Sequence, residues 1–252
     1  MIHELTAVAA AAARAGGKII INAEKVVQIR QKSTATDPVT AVDLAAESTI
    51  TGMITMERPD DGILGEEGAD RDSRSGLRWV IDPVDGTTNL LYDLPHVTVS
   101  VACQQRDTDG TWRTVAGAVH DPYRDELFTA GLGHGAFRNG ERLTVNDPVP
   151  RDRALIATGF AYTSERRTRQ AAILTGLLGV VRDLRSHGSA ALELCWLAAG
   201  RCDAYYEDDL APWDFAAGAL IAAEAGAVVT PLAAGVLAAG PALHPALKEL
   251  IA

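Results

Sequence analysis

The chain has 252 residues, of which 47% are hydrophobic and 22% are charged, a composition that suits a folded protein with a buried core. Its formal net charge of -10 argues against direct binding to nucleic acid, which requires a basic surface. No run of residues is apolar over the length of a membrane span, and the N-terminus lacks a signal-peptide pattern. These features predict a globular protein without a nucleic-acid or membrane partner.

The three cysteines, Cys103, Cys195 and Cys202, form neither an even set nor a CxxC motif. Their spacing matches neither a disulfide framework nor a zinc site. Reduced thiols are typical of cytoplasmic proteins, and we therefore expect a cytoplasmic location.

The first part of the chain begins with helical periodicity and continues with strands. Apolar residues at helical spacing predict helices over residues 2–24 and 40–57, with a short strand over 26–31 between them. Alternating and short apolar runs then predict a series of strands, with a hairpin turn at Asn139-Gly140 and a half-buried strand from Val97 to Cys103. The predicted strands cover residues 62–65, 78–81, 97–103, 115–119, 126–129 and 135–138.

The remaining chain alternates strands with helices, a pattern that favours a layered α/β arrangement. The predicted strands cover residues 154–158, 181–185, 202–206 and 227–230, and the predicted helices cover 164–180, 189–200 and 215–225. We therefore predict one compact unit of two closely apposed parts, residues 1–146 and residues 147–252.

The most informative segment is residues 79–90, in which an apolar strand ends in Asp82 and Asp85. Carboxylates placed this close raise each other's pKa unless a cation lies between them. Mg²⁺ takes oxygen ligands and commonly binds together with phosphate groups. Asp-Pro and Asp-Gly also form turns, but their succession here, followed by Thr87 and Thr88, exceeds what a turn requires. The segment predicts metal-assisted phosphate chemistry.

The residues after these carboxylates predict a helix start that faces a phosphate. Residues 86–90 would begin the helix with Asp85 as its cap, and the N–H groups of Gly86 and Thr87 would face the ligands. Glycine permits close approach of the backbone, and the Val84 carbonyl would supply a further oxygen.

Two more carboxylates have a candidate role and a structural alternative. Glu66, in Gly65-Glu66-Glu67, belongs either to a solvated loop or to a strand end beside Asp82. Asp214 precedes an apolar helix, where it is either a helix cap or a distant metal ligand.

Asp37 and Asp43 flank Thr40, which is predicted to cap the second helix. Asp37 could be a turn residue. Alternatively, either aspartate could lie next to the metal ligands without binding the metal itself.

In this order, the motifs resemble the inositol monophosphatase family of Mg²⁺-dependent, lithium-sensitive phosphatases, in particular its bacterial inositol-1-monophosphatase branch. The resemblance runs from the first helix nearly to the C-terminus. It implies the alternating αβαβα fold of the inositol monophosphatase and fructose-1,6-bisphosphatase type. The motifs that carry it are residues 37–43, 65–67 and 79–90, and Trp213-Asp214 with Gly218.

The resemblance implies Mg²⁺ as the cofactor and a role for each motif residue. Most metal ligands would lie in residues 1–146, and the last ligand and the substrate pocket in residues 147–252. Glu66, Thr87 and Asp43 would be catalytic, since Thr87 and the acidic network that includes Asp43 would orient the attacking water. The implied metal ligands are Glu66, Asp82, the Val84 carbonyl, Asp85 and Asp214.

The resemblance also implies a site for a small phosphate ester, most specifically myo-inositol 1-phosphate. Glu207 stands seven residues before Asp214, as does the glutamate that contacts ring hydroxyls in relatives acting on inositol phosphate. The N–H groups of Gly86 and Thr87 would hold the phosphate. The implied substrate-binding residues are Gly86, Thr87, Thr88, Gly188, Ser189, Ala190 and Glu207.

Other members of the resembled family leave alternatives open. The substrate could instead be histidinol phosphate, fructose 1,6-bisphosphate or 3′-phosphoadenosine 5′-phosphate. An additional role as a protein partner of the transcription machinery is the non-catalytic alternative. Family members are commonly homodimers, so we expect this chain to form a homodimer.

Overall fold

The computed structural model describes residues 1–23, 29–31 and 38–251 and combines helices with two large sheets. The two first predicted helices are confirmed, and Thr40 caps the second as expected, with its hydroxyl accepting a hydrogen bond from the Val42 N–H at 3.1 Å. The helices in these residues are α1 (Ile2–Asn22), α2 (Ala41–Glu57), α3 (Thr87–Leu91), α4 (Ser164–Leu178), α5 (Ala190–Ala198), α6 (Pro212–Glu224) and α7 (His244–Ile251).

A two-stranded antiparallel ribbon precedes α2. It pairs β1 (Ile29–Gln31) with β2 (Pro38–Thr40), which confirms the end of the strand predicted over residues 26–31. Residues 26–28 and Asp37 lie outside the described residues, so the predictions for them stay predictions.

The larger sheet has eight strands in the order β10-β9-β8-β7-β6-β5-β3-β4. The strands are β3 (Gly62–Gly65), β4 (Asp70–Arg71), β5 (Leu77–Asp85), β6 (Thr98–Arg106), β7 (Trp112–Asp121), β8 (Glu126–Gly131), β9 (Gly135–Arg138) and β10 (Glu141–Arg142). All neighbouring pairs are antiparallel except β3 and β5, whose parallel register places Gly65 opposite Ile81. This register places Glu66, just after β3, beside Asp82, which lies within β5, so the two residues are neighbours as predicted.

The smaller sheet has five strands in the order β12-β11-β13-β15-β14. They are β11 (Leu155–Thr158), β12 (Asp183–Arg185), β13 (Ala204–Asp208), β14 (Val228–Leu232) and β15 (Gly235–Ala239). The predicted border at residue 146 falls between the two sheets, while the division into two parts itself stays a prediction.

Helices cover both faces of both sheets. Buried residues of α1 and α2 pack on one face of the larger sheet, and α5 and α6 lie between the two sheets. Leu177 of α4 and Leu247 of α7 pack on the outer face of the smaller sheet. This arrangement is the alternating αβαβα fold that the resemblance implies.

Two local predictions are wrong. Strand β6 is buried on both faces rather than one, because α1 packs on one side while α5 and α6 cover the other, where Thr98 and Ser100 find polar partners. The cap of α3 is Gly86 rather than Asp85, since the chain turns with a φ of 103° at Gly86.

The hairpin predicted at Asn139-Gly140 is confirmed, because both residues have positive φ, 48° and 85°, between β9 and β10. None of the helices within the described ranges has the length and apolar character needed to cross a membrane.

Candidate active site

The candidate site begins where β5 ends. The pairing of β5 with β6 shifts register between Asp82 and Asp85, which marks a β-bulge or irregularity at Pro83 and Val84. The Glu66 N–H donates to the Ile81 carbonyl at 3.1 Å, and the Glu66 and Asp82 side chains share a hydrogen bond. The structure therefore brings the first two predicted metal ligands together.

The carboxyl groups of Asp82 and Asp85 are buried, and burial disfavours their ionised forms. Burial raises the pKa of Asp82 well above its usual value, and the charges of Glu66, Asp85 and Asp214 raise it further. Burial also raises the pKa of Asp85 to about 7, although hydrogen bonds from Ser189 and Ala191 act in the opposite direction. A cation among these groups would remove the repulsion between them.

Asp85 is held by the start of α5. Its Oδ2 accepts hydrogen bonds from the Ser189 hydroxyl and the Ala191 N–H, both at 2.7 Å. Ser189 is the N-cap of α5, and its hydroxyl lies 3.1 Å from the Thr98 hydroxyl on β6. Ser189 and Ala190, both predicted to bind substrate, are buried beside this aspartate, while the neighbouring Gly188 is exposed.

Thr87, Asp43 and Val84 form a second buried group. The Thr87 hydroxyl lies 3.0 Å from both Asp43 Oδ1 and the Val84 carbonyl. Asp43 Oδ2 accepts the Thr40 N–H at 2.9 Å and also the Thr40 hydroxyl, so Asp43 both caps α2 and reaches the site. Burial raises the pKa of Asp43, against these hydrogen bonds. Two of the three predicted catalytic residues, Thr87 and Asp43, are therefore in direct contact.

The turn between β5 and α3 is fixed by Gly86 and Asn89. A Cβ on Gly86 would lie 2.6 Å from the His96 carbonyl, so this position excludes a side chain. Asn89 Nδ2 donates to the carbonyls of His96 at 2.8 Å and His187 at 2.6 Å. Thr88, on the same turn, is exposed.

The last two predicted residues come from the smaller sheet and α6. Asp214 is the third residue of α6, and its carboxylate accepts the Ala211 N–H at 2.7 Å. Glu207 accepts the buried Tyr205 hydroxyl at 2.6 Å. Burial raises the pKa of Glu207 to about 8; Tyr205 lowers it, and the charges of nearby carboxylates, including Asp214 and Asp85, raise it. Glu207 therefore lies within electrostatic reach of the predicted metal ligands.

The donor chemistry fits a hard divalent cation. The predicted ligands supply only oxygen atoms, which Mg²⁺ prefers, and the charge repulsion at Asp82 favours a positive partner. In the part of the chain that the structure describes, no three histidine, cysteine, aspartate or glutamate side chains are already spaced as a metal site. Backbone N–H groups of Val84, Ala191 and Ala211 hold individual carboxylate oxygens. The assignment of metal ligands stays a prediction.

Sequence reasoning missed three residues that hold this region in place. Asn89 ties the turn after β5 to two other loops, Tyr205 bonds Glu207, and Glu47 bonds the loop of Glu66. Glu47 had a recognisable signal, because it lies four residues after Asp43 on the core-facing side of a helix. For Asn89 and Tyr205 the partners are distant or on the same strand, and the local sequence carries no sign of them.

Comparison with known proteins decides the family. The profile of the inositol monophosphatase family matches residues 1–252. This chain belongs to the inositol monophosphatase family. It is accordingly a phosphoric monoester hydrolase of the inositol monophosphatase type.

Similar proteins cover most of the chain. Inositol-1-monophosphatase of Mycobacterium leprae is 48% identical over 212 residues, which are 80% of this chain and 70% of that protein. Nus factor SuhB of Vibrio cholerae is 41% identical over 240 residues, 93% of this chain and 87% of that protein. The crystal structure of extragenic suppressor protein suhB from Bartonella henselae, 32% identical, superposes with a TM-score of 0.90 over 98% of each chain.

Proposed function

We propose that this chain hydrolyses myo-inositol 1-phosphate to inositol and phosphate in a Mg²⁺-dependent reaction with a metal-activated water. The observation that carries the proposal is the buried carboxyl group of Asp82, which the charges of Glu66, Asp85 and Asp214 all act upon. Bound Mg²⁺ would neutralise the phosphate and lower the pKa of a coordinated water. The residues that would hold it are Glu66, Asp82, Val84 through its carbonyl, Asp85 and Asp214.

The water would be oriented by Thr87 together with Asp43. The Thr87 hydroxyl has two acceptors at 3.0 Å, so its proton is engaged and its oxygen is free to accept a hydrogen bond from water. Glu66, whose side chain is hydrogen-bonded to Asp82, would be the third catalytic residue. The contributions of these residues are positioning and electrostatic, without a covalent phosphoenzyme.

The substrate would lie between the turn after β5 and the smaller sheet. The N–H groups of Gly86 and Thr87 would hold the phosphate, and Glu207 would accept hydrogen bonds from ring hydroxyls. The name of the 48% identical Mycobacterium leprae relative supports the choice of inositol 1-phosphate. The remaining residues proposed to line the pocket are Thr88, Gly188, Ser189 and Ala190.

The identity of the alcohol is tested with a panel of phosphate esters in the presence of Mg²⁺. We expect the highest kcat/KM for inositol 1-phosphate among four esters, the others being histidinol phosphate, fructose 1,6-bisphosphate and 3′-phosphoadenosine 5′-phosphate. A clear preference for one of those three would overturn the proposed substrate while leaving the proposed metal site in place.

We further propose that the protein is a cytoplasmic homodimer and that lithium inhibits it, as the family resemblance implies. The three cysteines are all buried and free, which suits a reducing compartment. Light scattering on the purified protein should give twice the 26.6 kDa mass of one chain.

A second role, as a protein partner of the transcription machinery, is supported by one observation. The Vibrio cholerae relative, 41% identical, carries the name Nus factor SuhB. If this chain has that role, it should co-elute with purified bacterial transcription complexes, and the Asp85→Asn variant should do so equally. Failure of both proteins to co-elute would remove this second role.

A further inference from the structure

Glu47 is a buried carboxylate that none of the motifs includes. It lies on α2, where only 6% of the residue is exposed. Its Oε2 accepts the N–H of Glu67 at 2.9 Å, and its Oε1 accepts the N–H of Ala69 at 3.0 Å. Both carboxylate oxygens are therefore used to bind the backbone of one loop.

That loop is the one that carries Glu66. The Gly65 N–H donates to the Ala69 carbonyl at 2.7 Å and closes the loop, while the Glu66 N–H donates to the Ile81 carbonyl at 3.1 Å. Glu66 is thus attached on one side to β5, immediately before Asp82, and its loop is attached on the other side to α2 through Glu47. These bonds fix the backbone from which the Glu66 carboxyl reaches Asp82.

The approach of Glu47 depends on a glycine. A Cβ on Gly65 would lie 2.2 Å from Glu47 Oε2, well inside any permitted contact. Gly65 has no positive φ that would itself require glycine. The absence of a side chain at residue 65 therefore provides the space that the Glu47 carboxylate occupies.

We infer that Glu47 is a positioning residue, which holds the loop so that Glu66 is presented to the proposed Mg²⁺ site. The inference rests on the proposed function, because it concerns one of the proposed metal ligands. Glu47 acts through the backbone N–H groups of Glu67 and Ala69, which use both of its carboxylate oxygens. Groups that orient metal ligands in this way typically change metal affinity by about 10- to 100-fold when they are replaced.

The test compares Glu47→Gln with Glu57→Gln. Glutamine keeps the size of Glu47, but its NH₂ group cannot accept a backbone N–H, so one of the two bonds is lost. Glu57 is the exposed last residue of the same helix, and its replacement changes the net charge by the same amount. Each protein is titrated with Mg²⁺ while its unfolding temperature is followed, and again while phosphate release from inositol 1-phosphate is followed.

A third measurement depends on neither Mg²⁺ nor activity. Hydrogen exchange is followed without metal in a peptide that contains the N–H groups of Glu67 and Ala69. We expect faster exchange there in Glu47→Gln than in Glu57→Gln, because one N–H loses its buried acceptor.

We expect Glu47→Gln to raise the half-saturating Mg²⁺ concentration about 10-fold or more in both titrations, while kcat at saturating Mg²⁺ stays close to that of the unaltered protein. Glu57→Gln should match the unaltered protein. If Glu47→Gln lowers the unfolding temperature or speeds exchange but leaves both Mg²⁺ midpoints unchanged, Glu47 has only a structural role and the inference is overturned. If the unaltered protein itself shows no response to Mg²⁺, the proposed function fails, and this inference fails with it.

Discussion

Single side chains in the candidate site are held by short, specific hydrogen bonds, and these bonds allow separate tests of each role. Asp85, Asp43, Glu47 and Glu207 each accept at least one hydrogen bond from a named donor. An isosteric change at such a position removes one function while the surrounding packing is kept. The Thr87 hydroxyl and the Glu207 carboxyl offer the clearest cases.

Replacement of Thr87 by valine tests the proposed orientation of water. Valine keeps the shape of threonine but removes the hydroxyl that lies 3.0 Å from Asp43 and from the Val84 carbonyl. We expect kcat for inositol 1-phosphate to fall about 10- to 100-fold, since about 1.4 kcal/mol of transition-state stabilisation corresponds to tenfold in rate. Thr87→Ser, which retains the hydroxyl, should keep most of the activity. Equal kcat values for the valine and serine variants would show that the hydroxyl has no such role.

The raised pKa of Glu207 predicts a pH-dependent effect on stability. Since its pKa is about 8 in the folded protein and near its ordinary value of 4.5 when unfolded, the folded state binds the extra proton between these values. Stability from this group is therefore complete below about pH 4.5 and is lost as the pH rises to about 8. Glu207→Gln keeps an acceptor for the Tyr205 hydroxyl and removes this titration.

We therefore expect the stability of Glu207→Gln, relative to the unaltered protein, to increase between pH 5 and pH 8.5. The measurement is urea unfolding at several pH values in the presence of a chelator, so that metal binding does not contribute. A stability difference that stays constant across this range would contradict the raised pKa.

The sequence predicts the residues of the carboxylate group better than those that support it. Glu66 and Asp82 could be placed together because each was predicted to follow a strand. The parallel pairing of β3 and β5 confirms that they are neighbours, although β5 continues past Asp82 to Asp85. The spacing of Glu47 from Asp43 indicates that it faces the core, but its role could not be assigned, because its partners are 20 and 22 residues away along the chain.

At the scale of elements, the turn between β5 and α3 determines the position of the site. Gly86 has a φ of 103° and no room for a Cβ, because the His96 carbonyl would be 2.6 Å away. The turn thus has both a conformational and a steric requirement for glycine. A second glycine in the chain separates the two contributions.

Gly86→Ala should therefore destabilise the protein more than Gly133→Ala. Gly133 also has a positive φ, 76°, but a Cβ there would meet no atom within 4 Å. We expect Gly133→Ala to cost about 1 kcal/mol in free energy of unfolding and Gly86→Ala about 3 kcal/mol, as measured by urea unfolding. Equal losses in the two variants would mean that the contact with the His96 carbonyl is not a constraint.

Long elements with clear periodicity could be predicted, and short or alanine-rich elements near the C-terminus could not. Helices α1 and α2 have apolar residues at helical spacing, and their predicted ranges match within about two residues. Strand β15 was not predicted, since residues 233–243 are mainly alanine, glycine and leucine without alternation. Helix α7 was also not predicted, although its buried Leu247 and Ile251 are four residues apart, because the segment is short and follows Pro241. Their structure depends on pairing with β13 and on packing against the smaller sheet.

At the scale of the whole molecule, the candidate site draws on both predicted parts of the chain. Asp85, the last residue of β5, accepts hydrogen bonds from Ser189 and Ala191 at the start of α5. The charge of Asp214 on α6 raises the pKa of Asp82. Helices α5 and α6 lie between the two sheets and carry these residues to the site. The resemblance to a family supplied this long-range grouping, which local sequence patterns do not contain.

We propose that the buried carboxylates at the end of β5 support Mg²⁺-dependent phosphate release. The most direct test is phosphate release from inositol 1-phosphate by the unaltered protein and by Asp85→Asn, each with Mg²⁺ and with excess chelator. We expect activity only for the unaltered protein with Mg²⁺ and near-total loss in the variant, which keeps an acceptor for Ser189 and Ala191. Full activity in Asp85→Asn, or in the unaltered protein with excess chelator, would contradict it.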